Sequence, residues 1–253
     1  MASTFIGTSK GAHVVTAEQL DFLPTPESTV SWHPVKHSDL VKGLHNALVA
    51  RGIEVVKSAY CVSPNGLDLF GIFDMAQSAN LNLPASFSMG FRHSNAKKFS
   101  IQLVAGTRVF VCANLCFSGD MITLKRKHTS GLDLRYEIEL GVNRYVEKAG
   151  QLRHEILLMQ ETAIDDQGVK SFLLDSVIGG SMPHALLVNA YQNYFTGKEL
   201  VDCSPRTVWG LNNAITRSIR DSNLVPSSKF EITLKLGNLI RRLLDGDKNG
   251  KTV

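Results

Sequence analysis

Apolar residues Leu40, Val41, Leu44, Leu48 and Val49 recur at spacings of three and four. That period puts them on one stripe and predicts a helix from Ser38 to Ala50, capped by Ser38 and stopped at Gly52. The rhythm then changes. Ile53 to Val62 is rich in β-branched and aromatic residues, Ser63-Pro64-Asn65-Gly66 is a turn signal, and Leu67 to Met75 follows as a hairpin partner. Further strands are expected at Phe87–Arg92, Phe99–Val104, Arg108–Cys112 and Met121–Lys125. Ser94 to Lys98 reads as a polar loop, and Ala105-Gly106-Thr107 as a compact hairpin turn. Five to six sequential strands joined by short turns predict an antiparallel β-meander.

From Leu132 the helical rhythm returns. Leu134, Ile138 and Val142 are four apart, and Leu152, Ile156 and Met159 continue the pattern within Glu147–Thr162. Helices are expected at Lys170–Ile178 and Met182–Phe195, and from Ser204-Pro205 through Val208, Leu211, Ile215 and Ile219. A last helix is expected at Lys229–Leu244. The class is therefore α+β: one helix, a meander, then a helical C-terminal half. Residues 1–35 read as an irregular arm. Residues 36–244 read as a single α+β domain, its sheet at about 53–127 and its helical part at about 132–244. The polar, Gly-containing stretch 245–253 reads as a flexible tail.

The chain has 253 residues, of which 43% are hydrophobic and 20% charged, enough to bury a substantial core and unlike a disordered composition. No run approaches the ~18 apolar residues of a membrane helix. The first residues carry no basic segment before an apolar core, and four scattered cysteines make no disulfide scaffold. A reduced, cytoplasmic location without a membrane partner is the expectation. Charge is segregated along the chain. Residues 92–153 hold eleven Lys/Arg against five Asp/Glu, a net of +6. Residues 206–253 hold nine against four, and residues 154–205 hold two against seven. Blocks of this kind can build a field that attracts an anionic partner.

Candidate chemistry is sparse. Cys112 and Cys116, with isolated Cys61 and Cys203, lack zinc-site spacing and read as small buried hydrophobes. His33 and His37 are separated by Pro34, and no His-Glu-x-x-His pattern is present. His93 and His128 flank basic residues and read as polar surface groups. Asp165-Asp166 and Asp245-Gly-Asp247 read as turn chemistry rather than ion ligands. There is no Walker-type loop and no Gly-x-Ser-x-Gly elbow, so no metal, cofactor or enzyme is nominated.

The basic positions are the remaining signal. Arg92, His93, Lys97 and Lys98 fall at a strand end and its loop. Arg108 opens a strand, and Lys125, Arg126, Lys127 and His128 close the last one. In an antiparallel meander alternate strand ends gather on one edge, so these residues are candidates for a nucleic-acid-binding rim. Any exposed ring among Phe87, Phe91, Phe99 and Phe110 would stack on an unpaired base, although core packing is the simpler role for all four. Arg241-Arg242 would extend the rim or form a polar helix face. Asn95 and Asn114 are candidates to pin a turn or bind a ligand.

The segments Phe91-Arg-His-Ser-Asn-Ala-Lys-Lys, Val109-Phe-Val-Cys-Ala-Asn and Lys127-His-Thr, with Thr207-Val-Trp-Gly-Leu-Asn-Asn-Ala, carry a likeness. Over roughly residues 40 to 240 the chain resembles the phage/plasmid-like domain-of-unknown-function family, without the longer N-terminal region of many members. The resemblance implies a mobile-element origin and residence in host cytoplasm, and brings no catalytic residue. With the basic rim, it leads to the expectation of a nonenzymatic nucleic-acid-binding protein, single-stranded DNA being the favoured ligand. The alternative is a protein-interaction module, either a homo-oligomeric scaffold or an inhibitor that binds a host defence protein. Complementary charge blocks would suit it.

Overall fold

The computed structural model describes residues 12–76, 85–109, 115–196 and 206–248. Six strands form one antiparallel sheet in sequence order: β1 (His13–Val15), β2 (Val55–Val62), β3 (Asp68–Met75), β4 (Ala85–Ser94), β5 (Ile101–Val109) and β6 (Leu115–Arg126). Helix α1 (His37–Val49) lies between β1 and β2. After the sheet come α2 (Leu134–Glu161), α3 (Asp166–Ile178), α4 (Leu187–Phe195), α5 (Val208–Asp221) and α6 (Pro226–Lys248). The α+β class, the meander and the helical C-terminal half are as the sequence predicts.

Local chemistry sets the joints. The β2–β3 turn closes with the Gly66 amide donating to the Ser63 carbonyl at 2.8 Å, and Gly66 adopts φ +69°, which glycine reaches without a Cβ penalty. Helix α1 begins at His37 with no side-chain cap, so the expected cap, Ser38, is instead a buried residue inside the first turn. Its stripe of Leu40, Leu44 and Leu48 is fully buried, each side chain contributing about 1.5–3 kcal/mol of burial. Asp133 caps α2, accepting from the Tyr136 amide, and Asp165 caps α3, accepting from the Gly168 amide at 2.7 Å. Only Asp165 thus serves as local turn chemistry; Asp166 pairs with Arg206 instead.

Four expectations are corrected. The expected hairpin at Ala105-Gly106-Thr107 does not exist. These residues pair with Met89, Ser88 and Phe87 in the middle of one continuous β5. Gly106 marks a register irregularity against β6 rather than a turn, and Ala105 and Thr107 are buried, as turn residues seldom are. The expected irregular arm contains β1 and a short 3₁₀ turn at Gln19–Phe22 that buries Leu20. The cap of α5 is Thr207, whereas Ser204 and Pro205 lie outside the described residues. Helix α6 runs through Asp245 to Lys248, into the expected tail.

The sheet carries helices on both faces. Phe91 and Arg92 are neighbours on β4, so their side chains point to opposite faces. Phe91 pairs with Leu103, and Leu103 lies against Gly141 of α2, where a Cβ would come within 2.7 Å of it. Arg92 lies with its guanidinium 4.7 Å from the Phe230 ring of α6. Hence α2 and α6 flank β4 and β5 from opposite sides. One core cluster joins α1, α2 and the sheet. A second, around Ile156, Trp209, Ile215 and Leu236, joins the C-terminal half of α2 to the later helices. Phe87 packs against both.

Candidate nucleic-acid interface

Antiparallel register brings the β2–β3 turn, the β4–β5 turn and the C-terminal end of β6 to one end of the sheet. Arg92 pairs with Gln102, Gln102 with Lys125, and Ile101 with Arg126. The segment 29–36, entering α1, lies across this end. It is fastened by the His33 amide to the His128 carbonyl (3.2 Å) and by Asn95 to Val35.

Asn95 acts as a substitute backbone. Its Oδ1 accepts from the Val35 amide at 3.1 Å and its Nδ2 donates to the Val35 carbonyl at 2.9 Å. Its own amide donates to Leu67. Asn95 is therefore a buried pin between the strap and the β2–β3 turn. The other candidate asparagine, Asn114, lies outside the described residues, as do Phe110, Cys112 and Cys203.

Beneath the strap three imidazoles meet. His37 Nε2 lies 2.8 Å from the Gly66 carbonyl, and its Nδ1 lies 2.6 Å from Nε2 of His93. The His93 ring stacks on His128 at 5.3 Å, and His128 stacks on Trp32 at 6.5 Å with planes within 10°. His93 and His128 are 0% and 5% exposed, contrary to the surface role expected for them. Burial lowers the pKa of all three. His93 is pushed well below the usual histidine range, by burial first and then by His37 and His128. His128 is lowered to about 4 by burial and then by His37. For His37, burial outweighs the Gly66 hydrogen bond and Asp68. The cluster is neutral at pH 7. Nδ1 of His93 and both ring nitrogens of His128 have no hydrogen-bond partner among the described residues.

The cations of the expected rim divide into two sets. Arg92 is 4% exposed, between the Phe99 ring (4.8 Å) and the Phe230 ring (4.7 Å), and donates to Gln102 and Glu231. Lys98 reaches Asp68 at 2.7 Å, the same carboxylate that accepts from Ser94 Oγ. Arg126 pairs with Glu137, and Arg241, away from this end, pairs with Glu155. These cations hold elements together. Arg108 does not join the rim: it pairs with Ser86 and Leu115 near the opposite end of the sheet, because β5 runs away from the β4–β5 turn. Lys97, Lys125 and Lys127 are exposed and have no ion pair among the described residues. Lys97 sits at φ +62° in the β4–β5 turn with its ammonium 4.6 Å from the centre of the Trp32 indole.

Sequence reasoning missed Trp32, which fell in a stretch read as irregular, and weighed His37 only as a metal ligand with His33, not as a partner of His93. A large aromatic in Trp32-His33-Pro34-Val35 is the available signal, since a solvated arm has no use for an indole. Among the described residues no group of three His, Cys, Asp or Glu is arranged to hold a metal ion, and no helix is long and apolar enough to cross a membrane. No family model, no curated protein and no solved structure matches the chain.

Proposed function

We propose that this chain binds nucleic acid, single-stranded DNA in recombination or genome handling, without catalysing a reaction. What carries the reading is the set Lys97, Lys125 and Lys127: three exposed ammonium groups at one sheet end, unneutralised among the described residues while neighbouring cations are paired. Unpaired surface cations attract phosphates, and binding then releases condensed counterions. A phage- or plasmid-type origin is part of the proposal and rests on the motif resemblance alone.

The test is binding of oligonucleotides across a salt series. Substituting Lys97, Lys125 and Lys127 together by Ala should lower the slope of log K against log salt by about 2 for single strands, at about 0.7 per phosphate contact. An unchanged slope sinks the assignment. An interaction module is the competing reading, favoured by exposed Leu174, Ile178, Val188 and Tyr191 on α3 and α4. Self-association of the free chain in sedimentation velocity, with no oligonucleotide binding, would decide for it.

A further inference from the structure

The two tryptophans have opposite settings. Trp209 is 1% exposed in the helical core, whereas Trp32 is only partly buried at the sheet end. Yet Trp32 is held firmly. Its carbonyl accepts from the Thr29 amide at 2.8 Å, the next residue is tied to His128, and Val35 is pinned by Asn95. Its ring continues a column that starts at fully buried His93 and passes through His128, with successive planes tilted by 21° and 10°. The column is neutral and rooted in the core. Its outer end is an indole with an exposed lysine lying over it.

We propose that Trp32 is a stacking platform for one unpaired nucleobase, with Lys97 leaving the indole to meet the flanking phosphate. The inference rests on the nucleic-acid reading and adds a selectivity to it. Every base offers a π-face, so stacking on an aromatic is tolerant of sequence. In a duplex those faces are already stacked on neighbouring bases, so the platform serves an unpaired strand and not a double helix. The ammonium over the ring is a mobile placeholder: a cation–π contact at an exposed site contributes roughly 0.5–1 kcal/mol, so a base displaces it at low cost. Lys127, directly before His128 in the chain, flanks the same column. Prior fixing of the indole means that little rotamer freedom is lost when the base arrives.

The experiment compares fluorescein-labelled oligothymidine, oligouridine and a DNA duplex, each of about twelve nucleotides per strand, in anisotropy titrations at low salt. Trp32→Leu keeps apolar bulk and removes the π-face, and Trp32→Phe keeps a smaller ring. Trp32→Leu should weaken both single strands by about tenfold or more and leave duplex affinity and the salt slope unchanged. Trp32→Phe should recover most of that loss. In the unmodified protein, single strands should quench the fluorescence of Trp32, an effect that Trp32→Phe abolishes, since Trp209 is shielded. A circular dichroism melt confirms that each variant is folded. Equal weakening of single strand and duplex by Trp32→Leu, or no weakening, overturns the platform while the lysine reading stands. Absence of binding to any of the three oligonucleotides overturns both.

Discussion

Nδ1 of His37 lies 2.6 Å from Nε2 of His93, and this contact fixes which nitrogens carry protons. The Gly66 carbonyl only accepts, so His37 bears its hydrogen on Nε2. A neutral His37 then accepts at Nδ1, His93 donates from Nε2, and Nδ1 of His93 is a bare buried acceptor. His93 and Trp32 stack on either side of His128, and the carboxylate that acts on His37, Asp68, is engaged by Lys98 and Ser94. Protonating the cluster therefore places charge in a buried site with no free anion among these neighbours to receive it.

Acid should accordingly loosen the fold. An unfolded histidine takes a proton below about 6.5, whereas folded His128 does so only below about 4. Across that window the unfolded state holds more protons, so stability is complete above about 6.5 and falls as pH falls. His128→Phe keeps a ring in the stack and cannot titrate. Urea unfolding at pH 7 and pH 5 should show the unmodified chain losing about 1–2 kcal/mol more than this variant. Equal losses in the two proteins would remove His128 from the account.

Asn95 should matter to stability and to the strap in different ways. Asn95→Ala deletes two hydrogen bonds and leaves the buried amide and carbonyl of Val35 without partners, at a cost of about 2–4 kcal/mol. The same change should speed chymotrypsin cleavage after Trp32 beyond what the global loss explains, because the strap is tied mainly there and at His128. A urea midpoint within error of the unmodified chain would show that Val35 finds other partners.

Much of the fold could be read from the order of helical stripes and apolar, β-branched runs along the chain. The stripe Leu40–Leu44–Leu48 marks α1, and the β-branched and aromatic runs on either side of the Ser63–Gly66 turn mark β2 and β3, although β3 is buried on both faces and shows no alternation. Gly106 misled because a glycine between apolar runs signals a turn and a bulge equally, and only pairing with Ser88 on β4 distinguishes them. The site was half legible. Strand ends do gather the basic residues other than Arg108, which lies near the opposite end, but whether a cation is free depends on partners distant in sequence. Arg92 is occupied by Glu231, 139 residues away, and no local pattern announces that. His93 and His128 misled for the same reason: their burial comes from packing against His37 of α1 and against the segment 29–36, most of which reads in the sequence as an irregular arm.

Gly71 and Phe91 give the sharpest test of the sheet packing. They face each other across β3 and β4, and a Cβ on Gly71 would lie 2.2 Å from two carbons of the Phe91 ring. The ring covers the glycine, and it cannot swing aside. Phe73 lies at 4.9 Å and Tyr60 at 6.3 Å, centre to centre, and Phe91 is 1% exposed. Gly71→Ala should therefore cost about 2–3 kcal/mol by overpacking, although alanine is the better strand residue by intrinsic preference. Phe91→Leu alone should cost a similar amount by leaving a cavity. In the double variant the new methyl occupies part of that cavity, so the summed cost should exceed the measured one by about 1 kcal/mol or more. Urea unfolding of the four proteins closes the cycle. Strict additivity would mean that the ring relaxes away from Gly71 in solution and that the close approach is not what requires glycine there.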